Sequence, residues 1–438
     1  MKVLKFGGTS VGSAARIKHV ADLIVRQGKN IIVLSAMSGT TNALVEISDY
    51  LSKGNIPGAQ ETLNNLEAKY AAVVNELLTD RASRETAVAA LGRSFFLIRS
   101  YFSETFSEAG EKEILAQGEL ISTALMLAYL REKGVNAVML PALEYMRTLE
   151  SGEPDMSHIS VRLKRLLELE AAADIYITQG YICLNSRGGI DNLQRGGSDY
   201  TASIIGAVLP AEEIQIWTDI DGMHNNDPRF VEGTRPVHEL HFEEAAELAY
   251  FGAKILHPSC VLPAKLANIP VRLLNTMEPD APGTLIYNMP PDGKIKAIAA
   301  KDGITAEKIK SGRMLLAYGF LHKVFETFEN HRTSIDMMAT SEVGVTVTVD
   351  NDSRLAAIID DLKEFATVNV DRDMVIICVV GDLNWLNAGY EAQVVNALGD
   401  IPIRMISYGG SAYNISILVR RQDKLEALKR LSKSLFSA

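Results

Sequence analysis

Apolar residues along this chain fall into two rhythms. Short unbroken runs, Val3-Leu4-Lys5-Phe6 and Ile31-Ile32-Val33-Leu34, have the length of strands buried on both faces. Between them Ile17, Val20, Ala21 and Ile24 recur at the spacing of one helix face, with Ser13 placed to cap it. A second helix runs through Leu44, Ile47 and Leu51 and stops at Gly54. Amphipathic stretches over 61–78 and 83–106 then interrupt the alternation as a helical insertion. Gln117-Gly118-Glu119 predicts the opening of a further apolar helix, which Gly134 ends. Strands are predicted at 137–140, 175–178, 214–217 and 271–274, and helices at 199–208 and 242–250. Such alternation gives an α/β fold, a mostly parallel sheet sandwiched by helices, with ligands beyond the strand C-termini.

Residues 286–301, rich in proline, glycine and lysine, read as a linker. Two smaller α+β units follow. The first has strands at 304–309, 335–338 and 343–349 and helices at 324–328 and 355–365. The second has strands at 375–380, 403–407 and 414–419, a helix at 390–398 and a last helix. Ser341-Glu342-Val343 and Gly410-Ser411-Ala412 occupy matching places about 70 residues apart, an internal repeat of a β-α-β-β-α-β module.

At 438 residues the chain exceeds one ordinary core. A net charge of −10 and a pI near 5.4 argue against a general grip on nucleic acid or anionic membrane. Cys183, Cys260 and Cys378 have neither disulfide nor metal spacing and read as reduced thiols of a cytoplasmic protein. No leader is expected, nor an apolar run of about 18–20 residues. The eight histidines lack metal spacing, and there is no Gly-x-Ser-x-Gly elbow or Gly-x-Gly-x-x-Gly turn.

Four stretches carry candidate chemistry. Lys5-Phe6-Gly7-Gly8-Thr9-Ser10-Val11-Gly12 is a strand, a glycine turn and a helix start, which aims backbone N–H groups at one point as an anion cradle. Gln194-Arg195-Gly196-Gly197-Ser198-Asp199 is another such turn, where arginine offers a planar fork for a carboxylate; Ser198 or Asp199 can alternatively cap the helix. Trp217-Thr218-Asp219-Ile220-Asp221-Gly222 ends a strand and leads to Asp227-Pro228-Arg229. Asp219 can face a nucleotide, whereas Asp221-Gly222 reads as a turn. In Phe251-Gly252-Ala253-Lys254-Ile255 the lysine answers a helix C-terminus or reaches phosphate. Glu119, in the first turn of its predicted helix beside Gly118, suits an ammonium or the helix dipole.

Taken in order, these motifs together with Gly319-Phe320-Leu321 and Ser341-Glu342-Val343 resemble the aspartate kinase family over essentially the whole chain. The resemblance implies an amino-acid-kinase catalytic domain over 1–289 and two ferredoxin-like ACT regulatory modules over 297–371 and 372–438. The insertion at 61–106 is similar to the lysine-sensitive type. The reaction implied is transfer of the ATP γ-phosphoryl group to the β-carboxylate of L-aspartate, with Mg²⁺. Carried across, Lys5, Gly8 and Asp199 serve catalysis, and Thr41, Glu119, Arg195 and Ser198 hold aspartate. Lys5, Gly7, Gly8, Thr9, Ser10, Thr218, Asp219, His224, Arg229, Lys254 and Ile255 line ATP. Met314, Phe320, Leu321, Asp336 and Ser341 meet the effector, lysine foremost, and a homodimer through the ACT modules is expected.

The chain departs from the family pattern at Asp191-Asn192-Leu193-Gln194, at His224-Asn225-Asn226, and at Leu316 and Ala317, which are polar in lysine-sensing relatives. Rival readings are a kinase of another small acceptor and an inert kinase unit serving an amino-acid sensor. Glu119 with Arg195 and the tandem modules weigh against the first, and intact Lys5, Arg195 and Asp199 against the second.

Overall fold

The computed structural model describes residues 1–103, 105–193, 196–252, 256, 258–311 and 318–436. The chain divides into two compact units, Met1–Gly222 with Leu256–Asn288, and Met223–Ile255 with Met289–Ala438.

In the first unit the order is β1 (Lys2–Phe6), α1 (Ala14–Arg26), β2 (Asn30–Leu34), α2 (Thr40–Ser52), α3 (Ile56–Leu77), α4 (Arg81–Ser100), α5 (Glu108–Glu132) and β3 (Ala137–Met139). Then come α6 (Ala142–Tyr145), α7 (Met156–Leu169), β4 (Ile175–Gln179), β5 (Ile182–Leu184), β6 (Ile190–Asn192), α8 (Gly197–Val208) and β7 (Ile214–Thr218). The chain leaves for the second unit with β8 (Glu239–His241) and α9 (Phe242–Tyr250). It returns with α10 (Pro258–Ala267), β9 (Val271–Asn275) and β10 (Thr284–Tyr287). Strands of this unit lie in the order β3-β4-β2-β1-β7-β9-β10, parallel except for β10. All five residues of β2 are buried, as an interior parallel strand requires. Because β1 runs between β2 and β7, the turns after these three strands converge at one end of the sheet.

The two amphipathic stretches form helices α3 and α4, each shifted from its predicted span. Glu119 is not in a first helical turn, because α5 starts at Glu108, after Ser107, whose hydroxyl accepts from Gly110 N–H as the cap. It lies mid-helix, where the dipole contributes nothing. By length and composition α5 could also cross a membrane, yet Ile114, Ile121, Leu125 and Leu130 are packed in the core with Leu34, Leu44 and Tyr70.

The second unit continues with β11 (Ile295–Lys310), α11 (Phe320–Asn330), β12 (Met338–Ser341), β13 (Gly344–Val349), α12 (Leu355–Lys363) and β14 (Thr367–Gly381). It ends with α13 (Tyr390–Leu398), β15 (Met405–Tyr408), β16 (Asn414–Arg420) and α14 (Lys424–Phe436). Six of its strands form an antiparallel sheet in the order β12-β13-β11-β14-β16-β15. The expected linker at 286–301 is instead largely strand, since Ala297 to Lys301 pair with Val380 to Ile376. This half of β11 belongs with the last module, whose core joins Ile298 to Val375, Ile377, Ile417 and Leu428. The other half pairs with β13 and contributes Ile309 to a separate core with Phe320, Val347 and Ile358. The two modules are therefore nested, the first inserted into the second, rather than consecutive.

Glu307 on β11 is fully buried, and both carboxylate oxygens lack a hydrogen-bond partner. Burial pushes its carboxyl up to about 8. A folded-state value above the ordinary one means that the stability tied to this proton is lost as pH rises toward 8. Glu307→Gln is therefore expected to raise the melting temperature at pH 8, by roughly 1–3 kcal/mol of stability, and to change it little at pH 5. Thermal unfolding at both pH values checks this.

Candidate active site

The turn after β1 is a glycine structure for steric reasons. A Cβ on Gly8 would lie 2.7 Å from the Ala36 carbonyl oxygen, and one on Gly12 3.2 Å from Ser38 Cβ. Three of its amides are already used, Gly7 N–H on Trp217 O at 3.2 Å, Ser10 N–H on Gly7 O at 3.0 Å and Gly12 N–H on Thr9 O at 3.4 Å. The Ser10 hydroxyl shares a buried 2.7 Å hydrogen bond with Thr276, so Ser10 serves the frame. The amides of Gly8 and Thr9 have no partner among the described residues, which leaves them for an anion.

Lys5 Nζ, at the end of β1, lies 2.7 Å from Asp199 Oδ1, and the two side chains are only 12% and 15% exposed. The same ammonium is 3.5 Å from the position of a Cβ on Gly7. Asp199 stands in the first turn of α8, entered through Gly196 at φ +73°. Ser198 neither caps the helix nor faces solvent. Its Oγ accepts from Ser35 Oγ at 2.9 Å, and Gly180 packs so closely that a Cβ there would meet Ser198 at 2.4 Å.

The turn after β2 brings in Glu119, whose Oε1 accepts from Ala36 N–H at 3.1 Å. Glu119 is 5% exposed, and burial pushes its carboxyl up to about 7. Gly118 makes this approach possible, because a Cβ there would lie 2.8 Å from Ala36 Cβ. Thr41 is exposed in the first turn of α2. On β7, Thr218 Oγ1 donates to Asp219 Oδ1 at 3.1 Å. Thus Gly7, Gly8, Thr9, Asp199, Ser198 and Thr41 lie on the turns and helix starts at one end of the sheet, Lys5 at the end of β1 beside them, and Glu119 reaches the turn after β2 from the middle of α5. A cation, two open amides and two carboxylates in such a place suit transfer between anions.

A profile of the Amino acid kinase family matches residues 1–275, and an ACT domain profile matches 377–435. Lysine-sensitive aspartokinase 3 of Escherichia coli is 33% identical over 99% of both chains. The chain belongs to the aspartokinase family. The crystal structure of E. coli aspartokinase III with aspartate and ADP, an R-state, is 33% identical and covers 100% of each chain at a TM-score of 0.86. The T-state of that enzyme with lysine and aspartate is 34% identical at a TM-score of 0.82, again over 100% of each chain.

As an aspartokinase-family member the chain is an ATP-dependent kinase, and several expected site residues gain a structural setting. His224 and Arg229 belong to the second unit. His224 Nδ1 bonds Thr234 Oγ1 at 3.0 Å, and the Arg229 fork is held by Asp227 at 2.6–3.1 Å. Among the expected effector residues, Phe320 is a core side chain, Leu321 packs against that core, and Ser341 Oγ donates to Gly344 O at 3.3 Å. The Asp336 side chain is 1% exposed, and its Oδ1 accepts from Lys301 Nζ and from Tyr250 OH, each at 2.8 Å. Arg195, Lys254, Ile255 and Met314 lie outside the described residues. Sequence reasoning missed Lys69, Tyr70, Ser35 and Ser122, which hold the turn after β2. Nothing in local spacing marks them, since their partners are 30 to 163 residues away.

Proposed function

We propose that this chain transfers the γ-phosphoryl group of ATP to the β-carboxylate of L-aspartate, giving 4-phospho-L-aspartate and ADP. The observation that carries the reading is the Lys5–Asp199 pair set beside the open Gly8 and Thr9 amides at the end of the central strand. The nucleophile is already an anion, so no strong base is required; the obstacle is bringing two anions together. Lys5 and the two amides take up charge on the transferring group. Asp199 holds Lys5 in place. Glu119 receives the aspartate ammonium, Arg195 its α-carboxylate, and Thr41 and Ser198 complete the acceptor site. Thr218 and Asp219 line the nucleotide, whereas nucleotide contact at His224, Arg229, Lys254 and Ile255 rests on family resemblance alone.

In this reading Mg²⁺ is carried mainly by phosphate oxygens and water, as a hard ion bound with the nucleotide, and Asp199, a carboxylate at the site, is the side chain that would add an oxygen ligand. When bound the ion supplies charge neutralisation for the nucleotide tail. In this reading the ACT modules bind a feedback amino acid, lysine foremost, through Met314, Phe320, Leu321, Asp336 and Ser341. Lys301 then has to yield its place on Asp336 to the effector's ammonium. Pairing with a second copy through these modules completes the proposal, and the exposed edge strand β12 is compatible with it.

With Mg-ATP and aspartate the purified protein is expected to form an acyl phosphate, trapped as the hydroxamate. Absence of any aspartate-dependent product across magnesium concentrations would overturn the assignment. Titrating lysine, threonine and methionine separately in the same assay identifies the effector.

A further inference from the structure

The turn after β2 has one backbone hydrogen bond of its own, Thr40 N–H on Met37 O at 2.9 Å, and is tied to the β1 turn by Ser38 N–H on Gly8 O at 3.1 Å. Residues 35–39 carry no regular structure before α2, and Gly39 enters that helix at φ +79° without a side-chain cap. Its shape is set from outside. Glu119 and Ser122 on α5 bind its first residues, through Ala36 N–H at 3.1 Å and Ser35 O at 2.6 Å. Its far end is held by α3, the first helix of the insertion. Lys69 Nζ donates to Ser38 O at 2.6 Å, and the Tyr70 hydroxyl shares a 2.8 Å hydrogen bond with Thr40 Oγ1.

These two contacts differ in kind. Tyr70 and Thr40 are both fully buried, so each hydroxyl depends on the other for satisfaction. Lys69 is partly exposed at a cleft of about 440 Å³ between α2 and α3. Burial lowers its pKa. Its ammonium also lies 3.7 Å from the position of a Cβ on Gly39. One contact fixes the first residue of α2 from inside, and the other fixes the carbonyl two residues earlier from outside. Thr41, the next residue along, is exposed, and its side chain makes no hydrogen bond among the described residues.

We infer that Lys69 and Tyr70 are positioning residues for acceptor binding: the helical insertion clamps the 38–41 turn so that Thr41 and the Ala36–Glu119 contact meet the amino-acid substrate together. This rests on the proposed assignment of Thr41 and Glu119 to the acceptor site. It also gives the insertion a role beyond packing. Neither residue touches substrate in this scheme, so their effect appears in acceptor affinity rather than in the chemical step.

The test is steady-state kinetics on the full-length chain, with thermal unfolding measured in parallel. Lys69→Met and Tyr70→Phe are each expected to raise the aspartate KM about 5- to 20-fold, with the ATP KM within twofold of the parent and kcat reduced less than the aspartate KM is raised. Lys69→Arg restores much of the loss. Thr40→Val reproduces Tyr70→Phe, and the double variant is no worse than either single one, as expected for one shared contact. Should Tyr70→Phe lose too much stability to assay, Lys69→Met, on the exposed side, still decides the matter. An unchanged aspartate KM in Lys69→Met and Tyr70→Phe, while Thr41→Ala and Glu119→Gln raise it, overturns this inference alone. Unchanged aspartate KM in all four overturns the acceptor assignment as well. A fall in melting temperature with kinetic constants unaltered assigns both residues to packing and also overturns it.

Discussion

Lys5→Met is expected to lower kcat about 10³-fold while changing the KM for either substrate by less than about tenfold, the magnitude seen when one donor to developing negative charge is removed. The side chain extends from a buried central strand, its ammonium is 2.7 Å from Asp199, and the neighbouring Gly8 and Thr9 amides alone cannot supply a full charge. Loss of Lys5 also strands the Asp199 carboxylate in a position only 15% exposed. The melting temperature should therefore fall, and Asp199→Asn in the Lys5→Met background should recover part of it. Lys5→Arg should not restore activity, because the planar fork cannot sit where an ammonium approaches Gly7 this closely. A kcat within tenfold of the parent in Lys5→Met would remove Lys5 from the reaction.

Glu119→Gln is the second large effect, and it separates stability from function. Burial raises the Glu119 carboxyl from an ordinary 4.5 to about 7. With the folded-state value above the unfolded one, the stability linked to this proton is complete below about pH 4.5 and is lost as pH rises through about 7. Glutamine can still accept the Ala36 N–H and never ionises. The variant should gain roughly 1–3 kcal/mol at pH 8 and nothing at pH 4.5, measurable as a melting-temperature gain of a few degrees that vanishes in acid. In the assay it should raise the aspartate KM by about a hundredfold and leave that of ATP alone, since a neutral amide cannot hold the ammonium as a carboxylate does. For the parent enzyme the same group makes the aspartate KM climb as pH falls below 7. A flat aspartate KM between pH 6 and 8 counts against a role for Glu119 in binding.

What the chain order alone determined was local. The runs at Val3-Leu4-Lys5-Phe6 and Ile31-Ile32-Val33-Leu34, the Ser13 cap and the glycine turn after Phe6 depend on neighbours within a few residues, so periodicity and turn chemistry were enough to place them. Family resemblance extended this to Lys5, Glu119, Ser198 and Asp199, which the fold brings to one end of the first unit's sheet. Only the tertiary structure decided how those groups are used. Ser10 turns inward to Thr276 because a residue 266 positions away is packed against it. Glu119 owes its raised pKa to burial in mid-helix, not to a helix end. The nesting of the two regulatory modules likewise follows from long-range pairing, as one half of β11 joins strands near residues 376–380 and the other half those near 344–349. Hydrogen bonding between distant strands and desolvation by distant side chains leave no periodic trace in a sequence, and for that reason they had to be seen in three dimensions.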